Sequence, residues 1–101
     1  MSIKKQFLKT RPVCKVTFRL GPKDVKDAKE VCIAGDFNNW DTRKTPMDRL
    51  KNGTFKKILD FETGREFQFR YVVDQTTWIN DPEADKYLPS GHGDENCVIV
   101  L

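Results

Sequence analysis

A short apolar strand, predicted over residues 30–34, ends in the run Gly35-Asp36-Phe37-Asn38-Asn39-Trp40. Asp and Asn side chains hydrogen-bond to nearby backbone, so this run predicts a sharp polar turn with an indole at its end. The indole has two interpretations. Either Trp40 folds back over the strand end as a lid on the core, or it stays exposed for a ligand that is part apolar and part hydroxylated, as sugars are.

The remaining pattern predicts further short strands and no core helix. Residues 13–20 alternate apolar and polar side chains, which is typical of a strand with one buried face. Asn52-Gly53 predicts a hairpin leading into a strand over 54–61, where Lys57 interrupts the apolar face and indicates a sheet edge or a bulge. Residues 66–74 form the core strand, 78–80 and 96–101 are strands, and 87–94 is a Pro/Gly-rich loop. The sequence predicts an all-β, immunoglobulin-like antiparallel β-sandwich of about seven short strands.

Length and charge restrict the domain organisation and the partners. The 101 residues suffice for one domain, which we divide into a basic N-terminal tail, residues 1–12, and a β-sandwich domain, residues 13–101. The tail holds Lys4, Lys5, Lys9 and Arg11 and no acid. Removing these four positive charges changes the net charge from +3 to about −1. The rest of the chain therefore lacks the basic face that nucleic-acid binding requires. No apolar run suggests a signal peptide or a membrane segment, and we expect a soluble cytoplasmic protein that binds neither nucleic acid nor membrane.

The chain offers little for catalysis or metal binding. Three cysteines, Cys14, Cys32 and Cys97, lack CxxC spacing and are expected to be reduced and partly buried. A zinc site made from them and His92 would need ligands gathered from distant segments. His92 lies between Gly91 and Gly93, which makes a poor mount for a catalytic triad, and a small sandwich rarely forms the cleft that an acid pair needs. We therefore expect a binding module that is not an enzyme and uses no cofactor.

Several motifs in order along the chain point to one family. After the Gly35–Trp40 run come Val73-Asp74 with Trp78, then Asp81-Pro82, and a terminal strand that begins at Asn96. This arrangement resembles the glycogen-binding domain of AMP-activated protein kinase β subunits. More broadly it is similar to carbohydrate-binding module family 48, the early-set domain that precedes isoamylases and glycogen-branching enzymes. The resemblance extends from about residue 13 to residue 101.

The resemblance implies an α-1,4-glucan held against two tryptophans and a basic side chain. At the matching positions these are Trp40, Trp78 and Arg70, where the arginine replaces a lysine. Indole faces suit the C–H faces of glucose rings, and the guanidinium donates to hydroxyl oxygens.

The hairpin before Trp78 departs from the usual V-D-G-x-W pattern, because it has one extra residue and no glycine. A three-residue turn over 74–76 would pair Val72 with Trp78 and keep Trp78 on the same outer surface as Arg70. The alternative register turns Trp78 inward.

The late loop also departs from the kinase pattern. Gly91, Gly93 and Glu95 take the positions of a leucine, a threonine and an asparagine that contact the sugar in the kinase domain. Glu95 can accept from sugar hydroxyls, and Asn96 lies beside it, so both remain candidate contacts. The apolar contact is missing, which favours loose binding.

Two functions from different classes follow. The leading one is a stand-alone, non-catalytic module that binds glycogen, starch or maltodextrin, with a glycogen-metabolising enzyme as a candidate partner. The alternative is a protein-interaction or scaffold module that kept the fold and lost sugar binding. The altered loop and the basic tail support this alternative.

Overall fold

The computed structural model describes residues 1–101 and contains nine strands in two antiparallel sheets that form a β-sandwich. The first sheet has the order β1 (Ser2–Phe7), β2 (Val13–Leu20), β5 (Phe55–Glu62), β4 (Asp48–Arg49). The second has the order β3 (Val31–Gly35), β6 (Glu66–Val73), β9 (Glu95–Val100), β8 (Lys86–Pro89), and β7 (Thr77–Ile79) also pairs with β6. A 3₁₀ helix, Asp36–Asn38, follows β3. None of the helical structure is long and apolar enough to cross a bilayer.

The core lies between the two sheets and is rich in aromatic rings. Phe18 from the first sheet meets Phe69 from the second in an edge-to-face contact with 5.3 Å between ring centroids. Tyr71 and Phe61 complete this cluster, and each lies within 6.4 Å of Phe18. Edge-to-face aromatic pairs add about 0.5–1.5 kcal/mol to area burial, so this contact helps to fix one sheet against the other.

The all-β sandwich is confirmed, with nine strands where about seven were expected. One additional strand is β1, which lies in the segment that we treated as a tail and pairs with β2 from Ser2 to Phe7. Its Ile3 packs against the core, and Lys5 Nζ donates to Asp85 Oδ2 (2.5 Å) and to Val100 O (3.1 Å). The first sheet thus begins before residue 13, and a lysine that we assigned to the charge of a tail holds this strand to the second sheet.

The other additional strand is β8, which falls inside the loop expected over 87–94. It pairs with β9 from Lys86 to Pro89. Its side chains are mostly exposed, and it therefore lacks the alternating apolar pattern that identifies a strand in sequence. Only residues 90–94 remain as a loop.

Two of the structural alternatives left open by the sequence concern β5 and the hairpin before Trp78, and the structure resolves both. Strand β5 pairs one-to-one with β2 along its whole length, so it has no bulge there; β4 covers only Phe55 and Lys56, and from Lys57 onward β5 is a sheet edge. In the hairpin, Val72 faces Trp78, which is the register of a three-residue loop over 74–76. Asp74 (φ 50°) and Gln75 (φ 60°) take the left-handed positions for which such loops favour a glycine.

Hydrogen bonds stabilise this unusual loop. Asp74 Oδ1 accepts from the backbone N–H of Lys29 (2.8 Å) and of Glu30 (2.9 Å), and these bonds lower the pKa of Asp74. The backbone N–H of Asp74 donates to Glu30 O (3.0 Å). The side chain and the backbone of Asp74 thus offset the strain of a left-handed residue with a Cβ.

A buried polar network fixes the chain between β7 and β8. Asp81 is fully buried, and its Oδ2 accepts from Tyr71 Oη (2.7 Å) while its Oδ1 accepts from the backbone N–H of Glu83 (2.8 Å). Cys97 Sγ accepts from the backbone N–H of Asp81 (3.0 Å). Cys97, Cys14 and Cys32 are free, as expected, but they are fully rather than partly buried, and burial raises the pKa of Cys97 to about 11.

Gly35, the last residue of β3, lies against β6 too closely for any side chain. Its φ of −171° is ordinary extended backbone, so the need for glycine does not come from the dihedral angle. A Cβ at this position would lie 2.5 Å from Gln68 O and 2.9 Å from Phe69 Cβ. The close approach brings the turn that follows β3 directly onto β6.

We predict that Gly35→Ala lowers the free energy of unfolding by roughly 1–3 kcal/mol, because the new methyl group overlaps the backbone of a central strand. Urea unfolding of the variant and the parent measures this. Gly21→Ala is the matched control, since its Cβ would meet only Asp24 Oδ2 at 3.3 Å, and it should change stability by less than about 0.5 kcal/mol. Equal stability of the two variants would contradict the prediction.

Candidate functional site

An open groove of about 650 Å³ lies on the outer face of the second sheet. Strand β6 forms its floor, the turn after β3 and the hairpin strand β7 contribute one tryptophan each, and the 90–94 loop forms a wall. Ten residues line it: Asp36, Trp40, Gln68, Arg70, Trp78, Pro89, Ser90, His92, Asp94 and Asn96.

The turn after β3 positions Trp40 through the side chain of Asn38. Asn38 Oδ1 accepts from the backbone N–H of Gly35 (3.0 Å), and its Nδ2 donates to Ile33 O (2.8 Å) and to Thr45 Oγ1 (3.0 Å). The backbone N–H of Trp40 donates to Gly35 O (2.9 Å). Trp40 is half-buried, lines the groove and is not among the residues packed on the core, so it is not a lid on the core.

The hairpin positions Trp78 on the same face. Its side chain is 42% exposed, which is high for a large apolar residue. Gln75 Nε2 donates to Thr42 O (2.7 Å) and so connects the hairpin loop to the segment that follows Trp40. This bond links the two segments that carry the tryptophans, which are far apart in sequence.

Arg70 lies where β7 and β9 meet along the same edge of β6, since β9 pairs with residues 66–69 and β7 with residues 71–73. Its Nη2 is 2.6 Å from Asp94 Oδ1 and donates to Glu95 O (2.6 Å). The Arg70 side chain is only 12% exposed, and its Nε is buried without a partner. Hydrogen bonds from Arg70, followed by Ser90, lower the pKa of Asp94 to about 2.

The 90–94 loop is ordered by hydrogen bonds within itself. The backbone N–H of Ser90 donates to Asp94 O (2.9 Å), and that of His92 donates to Ser90 Oγ (3.1 Å). Ser90 Oγ also bonds to Asp94 Oδ1. Gly91 (φ 88°) and Gly93 (φ 90°) supply the left-handed backbone that this tight loop requires.

Four of the five residues selected from sequence line the groove together: Trp40, Arg70, Trp78 and Asn96. Glu95 does not line it. The backbone O of Glu95 accepts from Arg70 and from Asn80 Nδ2 (2.9 Å), and its exposed side chain makes no contact in the groove.

Sequence reasoning missed the other six lining residues. Gln68 was detectable, because it has the same strand parity as Arg70, and its Oε1 accepts from Asn96 Nδ2 (3.2 Å). Ser90, His92 and Asp94 belong to an irregular loop, where no periodicity shows which way a side chain points. The remaining two are Asp36, the first residue after β3, and Pro89, the last residue of β8.

The groove combines apolar faces with polar groups of both kinds. Two indoles provide flat apolar surface, Arg70 can only donate, the carboxylates of Asp94 and Asp36 can only accept when ionised, and Gln68 and Asn96 can do both. No group of three or more His, Cys, Asp or Glu side chains is placed to hold a metal ion. This arrangement suits an uncharged, hydroxyl-rich ligand with apolar faces.

Comparison with known proteins defines the class. The sandwich with an open groove on one sheet belongs to the carbohydrate-binding modules, and a family model described as the glycogen recognition site of AMP-activated protein kinase matches residues 24–100. The chain therefore belongs to this family of glycogen-recognition domains.

Two kinds of relative match the chain. It is 46% identical over 71 residues to the 5'-AMP-activated protein kinase subunit beta-2 of Mus musculus and, equally, of Homo sapiens, a match that covers 70% of this chain and 24% of each subunit. It is 39% identical over 44 residues to the 1,4-alpha-glucan branching enzyme GlgB of Photobacterium profundum, which covers 43% of this chain and 6% of the enzyme. The chain thus spans about a quarter of the kinase subunits that it matches.

We predict that Arg70→Gln raises the pKa of Asp94 from about 2 toward the usual value of about 3.9, because the cation that favours the carboxylate is lost. Since the folded pKa is depressed, the ionised Asp94 stabilises the fold above about pH 4 and this stabilisation is lost as the pH falls toward 2. A pH titration of the Asp94 ¹³Cγ signal by NMR measures the shift.

The control for this titration is Arg65→Gln, which removes an exposed arginine paired with Glu62 and should leave Asp94 unchanged. If the pKa of Asp94 stays near 2 in Arg70→Gln, the loop hydrogen bonds set it and not the guanidinium.

Proposed function

We propose that this chain is a non-catalytic module that binds α-1,4-glucans such as glycogen, starch and maltodextrins. The observation that carries the proposal is the convergence of two indoles from separate segments on one groove, with Arg70 on β6, the strand that lies between β3 and β7. In this proposal the rings of Trp40 and Trp78 stack against the C–H faces of glucose residues, and polar side chains around them bond to hydroxyl groups.

The exposure of the two tryptophans supports the stacking role. A core tryptophan would be nearly inaccessible, whereas Trp78 is 42% exposed and Trp40 is half-buried at the groove. A single exposed ring is common on a protein surface, whereas two partly exposed indoles that line one groove are typical of a contact site. The matched family and the branching enzyme named above add support from relatives whose descriptions refer to glycogen and α-glucan.

We expect weak binding. The groove is open, and two stacking contacts contribute about 0.5–1.5 kcal/mol each beyond area burial, with a few solvent-exposed hydrogen bonds in addition. We therefore expect a dissociation constant of about 10 μM to 1 mM, because an open groove leaves much of the ligand in water. A stand-alone role, an intracellular location and a glycogen-metabolising enzyme as partner belong to the same proposal.

The alternative is a protein-interaction module of the same fold, and one feature of the opposite sheet favours it. From Lys57 onward β5 is an unpaired edge, and its Ile58 is 45% exposed on the outer face. Edges of this kind are sites for strand addition by a partner. Under this alternative the groove no longer binds a sugar.

The test is an NMR titration of the purified protein with maltoheptaose, following backbone and indole N–H signals. We predict saturable shifts at Trp40, Arg70 and Trp78, and a loss of at least about tenfold in affinity for Trp40→Ala and for Trp78→Ala, since each substitution removes one stacking contact together with its buried area.

Phe7→Ala is the matched control, because Phe7 is an aromatic side chain, 54% exposed, on the other sheet. It should bind as the parent does. Urea unfolding separates binding from stability: a loss of several kcal/mol in either tryptophan variant would mean that the ring is structural. The absence of any shift at millimolar sugar would overturn the glucan proposal and leave the interaction module.

A further inference from the structure

We propose that Asp94 determines the specificity of this groove: with Arg70 it forms a donor–acceptor pair that binds two neighbouring hydroxyl groups of one pyranose ring. The inference rests on the glucan-binding function proposed above and assigns a ligand contact to a residue that the family motifs do not mark.

The acceptor half is a carboxylate with one oxygen engaged and one available. Asp94 Oδ1 takes the contacts to Arg70 Nη2 and to Ser90 Oγ. Asp94 Oδ2 has no partner within the chain, and the side chain is 56% exposed where it lines the groove. Because the pKa of Asp94 is depressed, this oxygen is an acceptor at any physiological pH.

The donor half is the guanidinium of Arg70. Its Nη2 is engaged by Asp94 and by the carbonyl of Glu95, and these contacts fix the plane of the group. The Nη1 hydrogens make no bond within the chain and remain for a ligand. The side chain is 12% exposed, so little rotational freedom is left to lose on binding.

Hydroxyl chemistry explains why such a pair is selective. A hydroxyl both donates and accepts, whereas an ionised carboxylate only accepts and a guanidinium only donates. Two adjacent hydroxyls, one donating to Asp94 and the other accepting from Arg70, satisfy both partners with charge-assisted bonds. A sugar with a phosphate or carboxylate at this place would instead meet Asp94, and Asp36 also lines the groove, so like charges would disfavour it.

The loop does not depend on the Asp94 side chain alone. The backbone bond from Ser90 N–H to Asp94 O and the bond from His92 N–H to Ser90 Oγ involve no side-chain atom of Asp94. We therefore expect the loop to keep its conformation when the carboxylate is removed, so the substitution tests the ligand contact.

The experiment measures β-cyclodextrin affinity by NMR for the parent, Asp94→Ala, Asp94→Asn and a control. We expect Asp94→Ala to weaken binding about tenfold, equivalent to about 1.4 kcal/mol. Asp94→Asn, which keeps the size and an acceptor oxygen but loses the charge, should fall between the two. The Asp94 ¹³Cγ signal of the parent should shift in step with the indole signals of Trp40 and Trp78.

Asp60→Ala is the matched control, since Asp60 is 52% exposed, pairs with Lys15 at 3.1 Å and lies on the opposite sheet. It should bind as the parent does. Backbone signals of Gly91 and Gly93 report whether the loop keeps its conformation in each variant.

Three results would overturn this inference while the glucan function stands: parental affinity in Asp94→Ala, an unshifted Asp94 ¹³Cγ at saturating sugar, or an equal loss in Asp60→Ala. A fourth result would also overturn it: weaker binding in Asp94→Ala together with displaced Gly91 and Gly93 signals, while Asp94→Asn keeps the parental affinity. Asp94 would then act only by holding the loop. If the parent's tryptophan signals do not respond to sugar, the proposed function itself fails.

Discussion

The close approach of Gly35 to β6 is the constraint on which the rest of the structure depends. Because this residue has no side chain, the end of β3 lies directly on the backbone of Gln68 and Phe69. The chain must then turn outward. The 3₁₀ helix makes this turn sharply because the side chain of Asn38 bonds to the backbone of Ile33 and of Gly35 at the end of β3. Asp36 Oδ2 accepts from the backbone N–H of Gln68 (2.8 Å) and ties the turn to β6 a second time. Trp40 is positioned at the rim of the groove by these contacts.

Strand β6 connects the core to the groove through its alternating side chains. The inward residues Phe67, Phe69 and Tyr71 pack between the sheets, while Gln68 and Arg70 point to the outer face. Packing of the aromatic side therefore fixes the position of the polar side, since a shift by one residue would exchange the two faces. Strands β9 and β7 pair with successive parts of one edge of β6, and Arg70 lies where these two strands meet. A backbone carbonyl of β9 is available there to hold the guanidinium.

Regular alternation and turn chemistry made most of the sandwich predictable from sequence. The strands over residues 13–20 and 66–74 and the three-residue hairpin before Trp78 follow from period-two patterns and from facing-pair geometry. β1 was missed because its inward face carries Lys5 as well as Ile3, which breaks the apolar pattern. The charge of that lysine is paired with Asp85, 80 residues away in sequence. β8 was missed because an exposed edge strand carries no apolar stripe. Within the groove, the family resemblance pointed to Arg70, and strand parity placed it on the same face as Trp78. Nothing local reveals a contact such as that between Asp94 and Arg70, which depends on the three-dimensional path of an irregular loop.

The replacement of a lysine by Arg70 and the altered late loop are best understood together. A lysine ammonium is a flexible point charge, whereas a guanidinium presents a planar fork that two acceptors can hold at once. Asp94 and the carbonyl of Glu95 do hold it, and the glycines at 91 and 93 let the loop bend far enough to bring Asp94 to this position. The loop has no apolar side chain to set against a sugar, but it immobilises a donor in advance. Ordering a side chain before the ligand arrives lowers the entropic cost of binding, which offsets part of the lost contact area. In the proposed glucan complex, fixed polar geometry takes the place of the apolar loop contact, and we expect selectivity to depend on hydroxyl orientation more than on ring stacking alone.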